Sequence, residues 1–357
     1  MWIKNIKLVN FRNYEKQEIN FKKNINIFYG ENAQGKTNII ESIFLCSLGK
    51  SFRTNKDNEM IKFNEEDAII EINYQKKDRE GNIKIELGKK KNIFVNGVKI
   101  KKLSELLGNL NIVIFKPDDI NVLRGAPEDR RKFLNMMISQ LRPNYAHILN
   151  LYLKTLLERN KYLKEVQEKN NLNESLLEVY DEKLVDYGMK IYNYRKEFIE
   201  KISEKIPKIH NKITDGKEDI NIKYISECDS REKYFDILKQ RRKLDIIRGS
   251  TTKGIHRDDF VIYIDNKEVN IYGSQGQNRT AILSLKLSEL QVIYDEIGEY
   301  PVLLLDDFMS ELDDKRRENF LNNIYDTQVI ITGTEKINIE KNNFLEYNVK
   351  SGKVIKD

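Results

Sequence analysis

Polar and apolar residues alternate along most of the first third of the chain. Residues 2–10 and 17–22 alternate on either side of Arg12-Asn13-Tyr14, which predicts two strands joined by a turn. Ile25, Ile27 and Tyr29 alternate until Gly30 breaks the pattern. Residues 67–75 and 82–87 read as further strands, and 93–100 as a hairpin whose Asn96-Gly97 supplies the positive φ angles of a tight turn. Residues 111–115, Asn111 followed by four apolar residues, read as a further buried strand stopped by Pro117. One amphipathic helical run, residues 39–48, interrupts these strands. Residues 2–116 are therefore expected to be β-rich around a single central helix.

The period changes at Pro127. Residues 128–169 and 174–214 are charged, rich in Leu and Ile, and helix-favouring, with turn-like Asn170-Asn171-Leu172-Asn173 between them. This pattern predicts an antiparallel helical hairpin, an arm whose residues 144–169 would span about 40 Å. Pro143 should kink or interrupt the first helix, and Pro207 should end the second or nearly so. Residues 219–226 read as a strand, and 230–248 as a strongly basic helix carrying Lys239, Arg241, Arg242, Lys243 and Arg248. Residues 259–271 alternate around Asp265-Asn266, 281–294 are helical, and 301–305 form an apolar strand that ends in Asp306 and Asp307. Residues 328–335 give one more strand with a polar tip. The expected fold is α/β. A head assembled from residues 1–126 and 216–357 has mixed sheets around the central helix, and a helical arm at 127–215 is inserted into it.

Composition narrows the class. Of 357 residues 33% are charged and 39% hydrophobic, which fits a soluble globular chain and not a disordered one. The net charge of +6 leans toward nucleic acid or another polyanion, although each basic residue of the arm taken singly reads as a wetted face. Cys46 and Cys228 lie far apart and suggest neither a disulfide framework nor a metal cluster. The start of the chain lacks the apolar core of a signal peptide, and no run approaches a membrane span, so a cytoplasmic protein is expected.

The chemistry concentrates where the alternation breaks. Gly30, Glu31, Asn32, Ala33, Gln34, Gly35, Lys36, Thr37 and Asn38 follow a strand and open a helix, with the glycine and lysine spacing of a phosphate-binding loop. Two glycines let the backbone curl so that its N–H groups meet phosphate oxygens, and the helix start adds its positive dipole end. Lys36 would reach the β and γ oxygens, and the Thr37 hydroxyl would take a place on Mg²⁺. Ser274, Gly276, Gln277 and Arg279, before a second helix, form another anion-binding candidate, although a Ser at a helix start is commonly an ordinary cap. Asp306 would hold Mg²⁺ beside Thr37, and Asp307 would orient or deprotonate an attacking water. The basic stretch 49–54 is either a solvated connector or a loop facing nucleotide or DNA. His256, beside Arg257 and Asp258, reads as a structural hydrogen-bonding cluster in preference to a ligand contact. The three histidines are scattered and no Gly-x-Ser-x-Gly elbow exists, so a serine or thiol hydrolase finds no support.

The order and spacing of these parts resemble an ABC-type P-loop ATPase head, and within that group the chain resembles the RecF family over essentially its whole length. Residues 117–135, from Pro117-Asp118-Asp119 to Phe133-Leu134-Asn135, carry the resemblance. So do Leu304-Leu305-Asp306-Asp307 through Ser310-Glu311-Leu312-Asp313, with Lys315 and Leu321. Gly254-Ile255-His256-Arg257-Asp258-Asp259 is similar to a further family stretch, with Ile255 where proline is usual. The resemblance implies a weak, DNA-stimulated ATPase that binds ATP, Mg²⁺ and DNA, single-stranded or gapped. It also implies ATP-dependent homodimers that act with RecR and RecO to load RecA at gaps and stalled forks, within recombination and the SOS response. In that picture Lys36 and Asp307 are catalytic, and the 274–279 segment of one copy closes on the phosphate loop of the other. Hydrolysis would then open the pair. An SMC- or Rad50-like structural clamp is the alternative, and the short arm argues against it. A transporter ATPase subunit should carry a switch histidine near residue 334, where Thr332 and Thr334 stand instead.

Overall fold

The computed structural model describes residues 1–77, 79–169, 171–311, 320, 326–336 and 344–356. Asn170, Leu312, Asp313, Lys315 and Leu321, all used above, lie outside the described residues.

The chain opens with β1 (Trp2–Phe11) and β2 (Tyr14–Asn20), paired antiparallel around Arg12, whose φ is +55°. Then follow β3 (Ile25–Tyr29), α1 (Lys36–Leu48), β4 (Ala68–Lys76) and β5 (Arg79–Leu87). β6 (Asn92–Val95) and β7 (Val98–Lys99) flank Asn96 and Gly97, both at positive φ as a tight hairpin requires. β8 (Ile112–Phe115) is buried along its whole length.

The middle of the chain holds α2 (Asn121–Arg124), α3 (Pro127–Leu141), α4 (Pro143–Lys169) and α5 (Glu174–Thr214). Pro143 interrupts the helical run, as expected, by starting a new helix. At the first helical position its missing N–H has no bond to lose. Pro207 does not end the return helix, because α5 runs on to Thr214. One backbone hydrogen bond is forgone there, but Ile206, His210 and Ile213 are buried and the helix packs on β9 (Ile220–Ile225), so continuation wins. α6 (Arg231–Arg248) and β10 (Asp259–Ile264) come next, then β11 (Lys267–Glu268) and α7 (Val269–Tyr272). The end of the expected 259–271 strand is therefore helical. α8 (Gln275–Ile297), β12 (Val302–Asp306), β13 (Val329–Gly333), β14 (Phe344–Lys350) and β15 (Lys353–Lys356) follow.

Two compact units result: Met1–Asp119 with Ser284–Asp357, and Ile120–Leu283. The first contains two sheets. One is antiparallel, in the order β2-β1-β4-β5-β6-β7. The other runs β15-β14-β3-β13-β12-β8, parallel except for its β15 edge. α1 packs on β4 and β5 of one sheet and on β12 and β13 of the other. That double cover corrects the expectation of an amphipathic helix. Side chains are buried around nearly the whole of α1, Glu41, Ser42 and Ser47 included. Each of these polar groups has a partner, as burial demands: Ser47 donates to Leu110 O and Ser42 to Ile39 O, and Glu41 accepts from Arg12.

The second unit carries the 127–215 helices together with α6, α7 and the sheet β11-β10-β9. An ionic knot joins its three longest helices. Arg159 on α4 is fully buried, donating from Nε to Asp181 on α5 at 2.8 Å and from Nη1 to Asp245 on α6 at 2.9 Å. Arg242 meets the other oxygen of Asp181 at 2.9 Å.

Candidate functional site

The parallel sheet decides which residues meet. β13 lies between β3 and β12, with Gly333 opposite Tyr29 and Thr332 opposite Asp306. The turn after Tyr29 and the acidic end of β12 therefore leave the same sheet edge, two strand spacings or about 10 Å apart. Carboxyl ends of parallel strands are where open α/β sheets take their ligands.

Gly30 and Gly35 have φ of +150° and +118°, and Ala33 is left-handed at +64°. A Cβ on Gly30 would sit 2.4 Å from the Val349 carbonyl oxygen, so only glycine fits against β14. The loop is pinned from outside by two turns. Asn13 Nδ2 donates to Gln34 O at 2.8 Å, Tyr14 Oη donates to Gly35 O at 3.1 Å, and the Ser351 N–H donates to Gln34 Oε1 at 2.6 Å. The Gln34 carboxamide thus serves as an anchor. Lys36 is 4% exposed, and its ammonium donates to Gly30 O and Glu31 O at 2.6 and 2.8 Å. Burial lowers its pKa, while the charges of Asp307 and Asp306 oppose that shift.

Thr37 Oγ1 donates to Asp306 Oδ1 at 2.9 Å. Thr332, fully buried on β13, places its hydroxyl 2.9 Å from the same oxygen and accepts the Asp307 N–H at 3.0 Å. Burial raises the Asp306 pKa, against the two hydroxyl hydrogen bonds that lower it. An oxygen-only pair of one carboxylate and one hydroxyl suits Mg²⁺, which takes few protein ligands and keeps the rest for water and phosphate. Among the described residues no larger cluster of His, Cys, Asp and Glu is placed to hold a metal.

Several neighbours had no periodic signal to reveal them. Asn38 donates to Asn13 Oδ1 at 2.8 Å and accepts from Arg53 Nη1 at 2.7 Å. Arg12 clamps Glu41 through Nε and Nη2 at 2.8 and 2.6 Å, and Ser51 donates to the same carboxylate. The basic 49–54 stretch therefore folds back over the first turns of α1, beside the phosphate loop. Thr332 carries no signal in the sequence beyond standing near the place of a transporter switch histidine.

The 274–279 segment belongs to the second unit, the phosphate loop to the first. α8 begins at Gln275, earlier than the expected 281, because Ser274 and Gln277 form a reciprocal cap. The Gln277 N–H donates to Ser274 Oγ at 3.1 Å, and the Ser274 N–H donates to Gln277 Oε1 at 3.0 Å. The cap uses the Ser274 oxygen as an acceptor and leaves its O–H to donate. Ser274 and Arg279 are exposed, whereas Asn278 and Thr280 turn inward.

His256 is structural, as expected. Its Nδ1 lies 2.9 Å from Tyr152 Oη, its Nε2 lies 3.2 Å from Thr251 O, and burial pushes its pKa down to about 4. The unfolded chain binds that proton near pH 6.5, so His256 contributes stability above pH 6.5 that is lost as the pH falls toward 4. Asp258 acts oppositely. Burial raises it from 3.8 to about 6, so its contribution is present below pH 3.8 and lost as the pH rises through 6. His256→Gln removes the first effect and keeps the second. Between pH 7 and pH 5 its unfolding free energy should change less unfavourably than the parent's by about 2 kcal/mol. Urea titrations at the two pH values check this, and identical pH dependence would contradict it.

Similarity to known proteins agrees with this geometry. The model of the RecF/RecN/SMC N terminal domain matches residues 2–354. The DNA replication and repair protein RecF of Clostridium novyi (strain NT) is 45% identical, over 99% of this chain and 98% of its own. The protein of the same name from Clostridioides difficile (strain 630) is 42% identical, over 99% and 98%. A solved structure of the recombination mediator protein RecF-ATP in the RecFOR pathway superposes with a TM-score of 0.93 at 40% identity, covering 100% of this chain and 97% of that one. A phosphate loop, an acidic strand end two strands away and full-length likeness to these proteins together lead to one conclusion: the chain belongs to the RecF family of DNA replication and repair proteins.

Proposed function

We propose that the chain is an ATP-operated switch in DNA repair and recombination, which pairs with a second copy of itself when ATP is bound and separates after hydrolysis. The observation that carries this reading is the run of contacts from Thr37 through Asp306 and Thr332 to Asp307, beside the buried ammonium of Lys36. Lys36 would exchange its loop carbonyls for the β and γ oxygens of ATP. The backbone of residues 30–37 and the start of α1 would hold the remaining phosphate oxygens. Thr37 and Asp306 would hold Mg²⁺, which neutralises charge on the phosphates when bound. Asp307 would orient the attacking water and take its proton as that oxygen bonds to the γ phosphorus and the bond to ADP breaks.

Ser274, Gly276, Gln277 and Arg279 of a partner copy would complete the phosphate pocket. Exposure of Ser274 and its uncommitted O–H support this role. DNA binding is proposed to be directed largely at phosphate and so to weaken with salt. Cooperation with RecR and RecO in loading RecA is part of the same reading, supported by family membership. A structural clamp of the SMC kind is less well supported. Its arms would have to be long, whereas α4 has 27 residues and α5 returns directly from residue 174. Among the described residues no helix is long and apolar enough to cross a membrane.

Light scattering with and without ATP tests the switch. The mass should double with ATP. Ser274→Arg should bind ATP as the parent does but stay single, since a bulky cation replaces the donor that meets the partner's nucleotide. Undiminished pairing of that variant would remove the 274–279 segment from the interface.

A further inference from the structure

We infer that the C-terminal half of α6, with Lys164 of α4, is a docking surface for the sugar-phosphate backbone of DNA. This rests on the proposed DNA binding and assigns it a place in the fold. The basic residues of α6 divide into two groups. In its first turns the charge is spent: Arg231 pairs with Asp186 and Lys233 with Asp229. Arg242 turns inward to Asp181. Lys239, Arg241, Lys243 and Arg248 are all exposed and form no ion pair or hydrogen bond among the described residues. Of the acids on the same helix, Asp236 forms no ion pair with them, and Asp245 is buried and committed to Arg159.

Cations near a helix C-terminus are often explained by its carbonyls. Here three of the last four carbonyls already have donors. Gly249 N–H serves Asp245 O and Ile246 O, Ser250 N–H serves Asp245 O at 3.1 Å, and Gln167 Nε2 serves Ile247 O at 2.7 Å. Gly249, at φ +57°, also lets α4 come close: a Cβ there would lie 2.9 Å from Lys164 Cγ. The stem of exposed Lys164 is thereby set against the end of α6, which adds a fifth unpaired cation.

Geometry and chemistry favour nucleic acid over an acidic protein. At about 3.6 residues per turn Lys239 and Lys243 share one side of α6 and Arg241 and Arg248 the opposite side, so over a rise of about 14 Å two pairs of cations flank the helix, one pair for each of two backbone segments of the duplex. Ile247 is the single large apolar side chain exposed on this stretch, whereas protein partners are held by buried aromatic and aliphatic anchors.

The test measures affinity for a labelled DNA duplex across a salt series, in the full chain and in the combined variant Lys239→Gln, Arg241→Gln, Lys243→Gln, Arg248→Gln. The plot of log affinity against log salt should flatten by about 0.9 for each lost phosphate contact, so by about 3 to 4 in all. Binding at about 0.1 M salt should fall at least tenfold, with ATP affinity unchanged. The charge-retaining variant Lys239→Arg, Arg241→Lys, Lys243→Arg, Arg248→Lys should bind DNA as the parent does. If the glutamine variant keeps the parental slope and affinity, this surface is wrong while DNA binding stands. Equal losses in both variants would mean that these residues act through shape, and would overturn the assignment too. A parent chain without affinity for DNA would remove both the surface and the reading beneath it.

Discussion

Lys36→Ala should abolish ATP binding, and pairing of two copies with it. The ammonium is nearly inaccessible and held by Gly30 O and Glu31 O inside its own loop. Truncation leaves two carbonyls without their donor. It also removes the one cation acting on Asp306 and Asp307 from inside the phosphate loop. A triphosphate brought there would add negative charge to an acidic sheet edge that has lost its nearest opposing cation. Charge-assisted hydrogen bonds contribute about 1.5–3 kcal/mol each, so losing two should weaken ATP at least about a hundredfold. Calorimetric titration with ATP measures this directly, and scattering with ATP should show single chains. An alanine variant with parental affinity would exclude Lys36 as a phosphate ligand.

Asp307→Asn should have the opposite profile, with ATP bound and pairs formed but the phosphate not released. Asp307 sits at φ +51°, a left-handed conformation that asparagine tolerates well. Its N–H donates to Thr332, a backbone contact that the substitution leaves alone. The pose should survive, and only the proton-accepting oxygen is lost. Removal of a general base slows the chemical step by about 10² to 10⁴. Single-turnover phosphate release should fall by that factor while ATP-dependent mass doubling persists, with pairs longer-lived than the parent's. Hydrolysis at the parental rate would take Asp307 out of the base role.

These two outcomes separate binding from turnover, and Ser274→Arg separates both from pairing. The order of defects matters more than any one of them. Failure at Lys36 precedes nucleotide, failure at Ser274 follows nucleotide and precedes the partner, and failure at Asp307 follows both.

Much of this site was legible without coordinates, because its parts are local. A phosphate loop needs glycines, a lysine and a hydroxyl within nine consecutive residues, between a strand and a helix, and all of that is written contiguously at residues 30–38. An apolar strand ending in two acids is equally local, as are the hairpin at Asn96-Gly97 and the helical period beyond Pro127. What periodicity could not convey is which distant segments become neighbours. Sheet order puts Thr332 beside Asp306 and Asp307 and the Ser351 turn beside the phosphate loop, and the turn at Asn13 reaches that loop from the other sheet. Two sheets closing on α1 buried a helix that looked two-faced, and packing on β9 carried α5 through Pro207. Five basic residues in one stretch read alike in the sequence, yet only the fold turned Arg242 inward to Asp181 and left four facing water. Local propensity and spacing thus determined the elements and the phosphate chemistry. Strand order, burial and charge pairing depend on residues hundreds of positions apart, and those were decided by the tertiary structure.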